Sequence, residues 1–306
     1  MTADESPYDM LVVGGSGVDT MVRVDSLPVP QADSLGVPPI LEWPGQTGGN
    51  VALGCRALGM SVKFLDFVGD DWLGGLVRER LTKGDVDFEP LISPAGTRRA
   101  VNLVDTTGRR MSFYDGRDPA DLRMPRDFYL PHLRRARHVH LSISHFTRFL
   151  YDDIEALGLP VSTDLHDWDG LAKHQREFAR RSDLVFLSAA GAGERIADVM
   201  RGILRDGRAT AVVATAGAGG AYLLVRDGGR TPRHIPAVTP PGPVKDSNGA
   251  GDAFVCGFLY GRARGLDFAE SARLGAVAGA HTCVAEGNLA LVDAETLDAQ
   301  VSRSGT

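Results

Sequence analysis

The feature that most constrains this chain is its rhythm. From His138 onward, short apolar or β-branched runs alternate with amphipathic stretches of helical length. "HVHLSIS", "PVSTDL", "DLVFLSA" and "ATAVVATAG" read as strands, with "TRFLYDDIEALG", "GLAKHQREFARR" and "GERIADVMRGILRDG" as the helices between them. The front of the chain repeats the motif. "MLVVGG" (10–15) and "SVKFLDFVG" (61–69) read as strands, and "DDWLGGLVRERLTKG" as a helix opened by acids and closed near Gly84. A strand returns parallel to its predecessor only through a crossover, and a helix supplies it. The pattern predicts an α/β fold, a doubly wound and mostly parallel sheet flanked by helices, as a single domain over 1–306.

Two regions break the rhythm. Residues 20–44 are proline-rich and lack helical periodicity, and 98–114, "RRAVNLVDTTGRRMSFY", reads as a hairpin around Thr106–Gly108. Together they are expected to form a small β-sheet lid at one edge of the body, or else to decorate the core sheet. The formal charge of −6 gives no basic face for a nucleic-acid partner. The N-terminus is no signal peptide and no apolar run is long enough for a membrane span, so a cytoplasmic protein is expected. Cys55, Cys256 and Cys283 are widely separated and carry no metal-ligand spacing, and neither do His138, His140, His145 and His166.

The stretch "PVKDSNGAGDAFVCGFLYG" (243–261) carries the chemistry. Gly249, Ala250 and Gly251 stand at the entrance of an apolar helical stripe, Phe254, Val255, Phe258 and Leu259. Unpaired amides at a helix N-terminus attract anions, and glycines let the backbone approach a phosphate. Asp252 then falls in the first helical turn. It either caps that turn or takes a proton from a hydroxyl attacking phosphorus. No P-loop sequence occurs, and "GGSGVD" (14–19) has Thr20 where a dinucleotide fingerprint needs its third glycine.

"DSNGAGDAF" resembles the C-terminal motif of the ribokinase-like (PfkB) carbohydrate kinases, usually "DTTGAGDAF". "PGQTGGNVALGCRALG" resembles their N-terminal motif, "FVGDDWLGGLVRERLTKGDVD" a segment usual among them, and "VATAGAGGAYL" their nucleotide-site strand and turn. The resemblance runs end to end. It implies ATP-dependent phosphorylation of a hydroxymethyl group on a sugar or nucleoside, with Mg²⁺, a K⁺ site in some relatives, and a lid often used for homodimerisation. Carried over by position, Asp252 is the base, and Gly249, Ala250 and Gly251 form the anion hole. Asp19, Gly45, Gly49 and Asn50 fall on acceptor-binding positions, and Thr215, Gly217, Gly220 and Asp246 on the nucleotide side, Asp246 ordering the turn. A sugar is the leading acceptor, a nucleoside the alternative, and a catalytically weakened sugar-binding regulator the third reading.

Departures from the resemblance are specific. Gln46 stands at a position the family gives to glycine, and Gly17 at one often held by a hydroxyl-binding asparagine. The family's "NxxE" segment aligns with Ser188 and Gly191, with Glu194 three residues late. Asn248 replaces a threonine or small residue. Arg98 is expected either to meet a substrate phosphate or to lie exposed. Trp43, Phe113 and Tyr114 are expected either to stack on a base or to pack. No metal ligand is legible.

Overall fold

The computed structural model describes residues 7–287 and 289–304. Its strands are β1 (Met10–Val13), β2 (Gly17–Arg23), β3 (Leu41–Gly45), β4 (Val62–Val68), β5 (Asp87–Ile92), β6 (Arg99–Val104), β7 (Arg110–Asp115), β8 (Val139–Leu141), β9 (Val161–Asp164), β10 (Leu184–Ser188), β11 (Ala211–Thr215), β12 (Ala221–Val225) and β13 (Arg233–Ile235). Its α-helices are α1 (Gln46–Ala57), α2 (Trp72–Lys83), α3 (Arg126–Leu133), α4 (Tyr151–Ala156), α5 (Lys173–Arg181), α6 (Ala189–Ala192), α7 (Ile196–Asp206), α8 (Ala250–Ala263), α9 (Phe268–Thr282) and α10 (Ala294–Ser304).

Nine of the described strands form one sheet in the order β13-β12-β11-β10-β9-β8-β1-β4-β5. All neighbours from β11 to β5 are parallel, and β12 and β13 close the other edge antiparallel. β4 is covered on both faces and buried along its whole length; its residues are apolar except Lys63 and Asp66, whose charges are paired with Asp87 and Arg98. On one face Met10, Val12, Phe64, Phe186 and Val213 pack under α1, α8 and α9, with the Phe186 and Phe258 rings edge to face at 5.1 Å. On the other face Leu11, Val13, Leu141, Val185 and Val212 pack against residues such as Phe178 of α5 and Met200 of α7. The expected helix at 147–158 opens as a 3₁₀ turn, His145–Leu150, before α4 begins.

β3, β2, β6 and β7 form a separate four-stranded sheet, with β2 and β6 parallel and both outer pairs antiparallel. Its strands come from the two irregular regions, although β2 starts at Gly17, before residue 20, because Gly17 already pairs with Gly45. Paired residues share a face. One face therefore carries the row Trp43, Asp19, Ala100 and Tyr114, followed by Met21, Asn102 and Ser112. The other carries Val22, Val101, Leu103, Met111 and Phe113, with Met111 and Phe113 exposed.

Arg98, just before β6, is neither exposed nor free for a substrate phosphate. It is buried and reaches both oxygens of Asp66 at 2.5 Å, Asp118 at 2.7 Å, and the carbonyls of Ser16 and Phe67 at 3.1 Å. A buried guanidinium requires such a set of acceptors. The cluster fastens the small sheet to the end of β4. His138 and His140 are likewise taken up by the fold: both meet Ser162 Oγ, at 2.8 and 2.9 Å, and burial lowers their pKa values to about 4 and about 3.

Candidate active site

α8 begins where the backbone turns left-handed at Gly249, φ +76°, a conformation glycine adopts without strain. Asp246 braces this entrance. One carboxylate oxygen accepts from Asn248 N at 2.9 Å and the other from Gly287 N at 3.3 Å. The Ala250 amide turns back to Ser247 O at 3.2 Å, and a Cβ on Gly251 would meet open space. Asp252 follows in the first turn of α8.

Across the cleft, Asn50 Nδ2 donates to Asp252 Oδ2 at 2.7 Å. The sequence suggests that Asn50 opens its helix and contacts the acceptor. In the structure α1 starts at Gln46, so Asn50 lies inside it and its side chain holds the aspartate. Burial raises the Asp252 pKa to about 8, helped by the charges of Asp164 and Asp19 and opposed by Asn50 and Arg110. Burial likewise raises Asp19 to about 6, opposed by Gln46, Arg110 and Asn102. The charges of Asp164 and Asp19 are thus near enough to act on Asp252.

Asp19 does not simply follow β1; it lies on β2, in the cleft-facing row of the small sheet. Gly45 pairs opposite Gly17, and a Cβ on Gly45 would come within 2.4 Å of Asn50 Oδ1. Gly48 and Gly49 both donate amides to Gly15 O, at 2.8 and 3.3 Å, seating α1 on the turn after β1. Just before them, after Gly45, Gln46 holds a left-handed backbone, φ +56°, costing a non-glycine residue on the order of 1 kcal/mol.

The residues expected on the nucleotide side stand farther along the sheet. Thr215 ends β11 beside Ser188, the last residue of β10, and its hydroxyl donates to Leu187 O at 3.4 Å. Gly217 and Gly220 shape the following turn, and a Cβ on Gly220 would lie 2.2 Å from Ile235 O. A side chain at Gly191 would collide with Asp167 O at 1.6 Å, so this loop bars an acid there, while Glu194 is exposed. Among the described residues no group of three His, Cys, Asp or Glu side chains is placed to hold a metal ion.

Two participants escaped the sequence reading. Asp164 closes β9 at its C-terminal end and is felt by Asp252; an acid ending a buried parallel strand was the available signal. Arg110 reaches from β7 to the α8 entrance, where Nη1 donates to Asn248 Oδ1 at 3.1 Å.

A profile described as the pfkB family carbohydrate kinase matches residues 172–293. An acarbose 7(IV)-phosphotransferase of Actinoplanes sp. is 46% identical over 276 residues, 90% of this chain and 92% of that one. The chain belongs to the PfkB family of carbohydrate kinases. A fructoselysine 6-kinase of Escherichia coli is 27% identical, covering 76% of this chain and 87% of its own. Among solved structures, a microbiome-derived acarbose kinase is 42% identical with a TM-score of 0.88, covering 97% of this chain and 100% of that one. A ribokinase from Giardia lamblia, 16% identical with a TM-score of 0.84 over 98% and 100% of the two chains, shares the fold. As a PfkB kinase the chain is an ATP-dependent sugar kinase with a small-molecule acceptor. None of its described helices is long and apolar enough to cross a membrane.

Proposed function

We propose that this kinase phosphorylates a hydroxymethyl group on a multi-ring sugar of the acarbose type, with Asp252 as general base. The observation that carries the base assignment is the Asn50–Asp252 hydrogen bond, which fixes a carboxylate with a raised pKa at the α8 entrance. Asp252 takes the acceptor's hydroxyl proton as the new oxygen–phosphorus bond forms. The bond from the γ-phosphorus to the β–γ bridging oxygen breaks, and ADP leaves. Amides of Gly249 and Gly251 receive the charge on the transferred group. A base whose pKa sits near the working pH combines availability with proton affinity. Thr215, Gly217 and Gly220 line the ATP side, and Asp246 keeps the turn in shape.

The acceptor lies against Asp19, with Gly45 and Gly49 leaving room for it. The row of Trp43, Asp19 and Tyr114 offers a carboxylate between two aromatic rings, suited to a sugar ring and its neighbours. The relatives that act on acarbose support this acceptor class, and no feature of the cleft favours a nucleoside over it. With no group of three acid, histidine or cysteine side chains placed for it among the described residues, Mg²⁺ would enter on the phosphates of ATP, Asp164 being the nearby acid. We also propose a homodimer through the outer face of the small sheet, where Met111 and Phe113 are exposed.

The test is ADP release from Mg·ATP with acarbose, D-fructose, fructoselysine, D-ribose and adenosine. Acarbose is expected to give the highest kcat/KM, and Asp252→Asn to lower kcat by roughly a thousandfold while binding persists. A rate with adenosine alone would overturn the acceptor, and an active Asp252→Asn the base. Binding without any turnover across the panel would favour a regulator.

A further inference from the structure

Gln46 is the one residue of the acceptor cleft whose backbone conformation works against it. It sits in the left-handed region at the first position of α1, where a glycine would be at ease. Its side chain folds back over β2. A Cβ built on Gly17 would come within 2.5 Å of Gln46 Oε1 and 2.6 Å of Gln46 Cδ, so the carboxamide fills the space left empty at position 17. The amide acts on Asp19, pulling down a carboxyl that burial pushes up. That pull comes from Nε2, the side chain's only donor; buried, Nε2 nonetheless makes no hydrogen bond of ordinary length among the described residues, and its two N–H groups are left short of acceptors.

A buried amide donor without a partner is costly, and so is the backbone that aims it. Both costs persist where a ligand supplies the missing acceptor. We infer that Gln46 is a specificity-determining residue of the acceptor site: its amide reads a sugar hydroxyl adjacent to the one held by Asp19. The carboxylate accepts from one hydroxyl, and the amide donates Nε2–H to its neighbour, whose own proton stays free for Oε1 or the next group. Two vicinal hydroxyls are thus recognised by a donor and an acceptor in fixed relation, which a single carboxylate cannot do. The inference rests on the sugar-kinase reading and names the residue that selects among sugars.

The test compares Gln46→Met with Gln46→Gly. Methionine keeps the length and the strained backbone but loses the donor; glycine relieves the backbone and loses the donor too. Acarbose affinity is measured by calorimetry without ATP, alongside kcat, the KM values for acarbose and ATP, and Tm. Both variants are expected to bind acarbose roughly tenfold more weakly. The loss falls on the acarbose KM and not on the ATP KM, and Tm rises in both variants, more in Gln46→Gly, which relieves the backbone as well as the unpaired donor. Wild-type affinity in Gln46→Met would overturn the inference while leaving the kinase reading intact. So would a parallel fall in Tm and ATP affinity, which would make the residue structural. A wild-type protein that neither binds nor phosphorylates acarbose would overturn both.

Discussion

Burial is the main force on the Asp252 carboxyl; Asp164 and Asp19 add to it, while Asn50 and Arg110 oppose it. The folded chain thus favours the neutral acid, with a pKa of about 8 against the ordinary 3.8. The stability this group supports is complete below about pH 4 and is lost as pH rises towards 8. Asn at 252 does not titrate. The Tm of Asp252→Asn is therefore expected to gain on the wild type between pH 4 and 8, reaching on the order of 5 °C and levelling above. Parallel pH curves for the two ligand-free proteins would refute this. Arg110 offers a second check, because its charge lowers both Asp252 and Asp19. Arg110→Ala should move the acid limb of the kcat/KM profile to higher pH and lower kcat/KM at neutral pH by roughly tenfold. An unshifted limb would mean that the guanidinium serves only to hold Asn248.

α1 shows how an element divides its glycines between packing and chemistry. A Cβ on Gly48 would lie 1.8 Å from Gly14 O, backbone against backbone, so the helix would have to lift from the turn after β1. Gly48→Ala is expected to destabilise by about 3 kcal/mol in denaturant unfolding. On Gly49 the same methyl would meet nothing within 4 Å. Gly49→Ala should stabilise by up to about 1 kcal/mol from helix propensity while raising the acceptor KM. Equal stability losses at the two positions would contradict the geometry. The elements themselves were legible because their periodicities are local: β4, α2, β9, β10 and β11 lie where the apolar runs place them. So was the α8 entrance, since glycines before an apolar stripe leave few alternatives. What stayed hidden depends on partners far away in the chain. Nothing near Arg98 shows that Asp66 waits for it, and nothing near Asn50 shows that Asp252, 202 residues on, takes its amide. Asp19 stood out in the sequence as a candidate but not as part of a strand in the small sheet, because the pairing of β2 with β6 is a long-range choice.

The whole molecule divides its work between two sheets, and the small one has a face left over. Its inner face meets the cleft with Asp19, Asn102 and Trp43, while Val22, Val101, Leu103, Met111 and Phe113 point away. β7 is also an edge strand, all of its residues exposed. An apolar face beside an unpaired edge invites association, and a second copy brings an identical face to it. The proposed dimer would bury Phe113 and hold Asp19 and Arg110 steady over the α8 entrance, so assembly and acceptor binding become linked. Phe113→Glu places a charge at the centre of that face without touching the inner row. The wild type is expected to run as a dimer in light scattering at micromolar concentration, and the variant as a monomer. The variant should also show a higher acceptor KM, because a freer small sheet positions Asp19 less often. A wild type that is monomeric at those concentrations would remove the dimer. A monomeric variant with unchanged acceptor KM would keep the dimer but cut its link to the site, leaving the contacts within the chain, Arg98 with its acids and Arg110 with Asn248, to steady the small sheet.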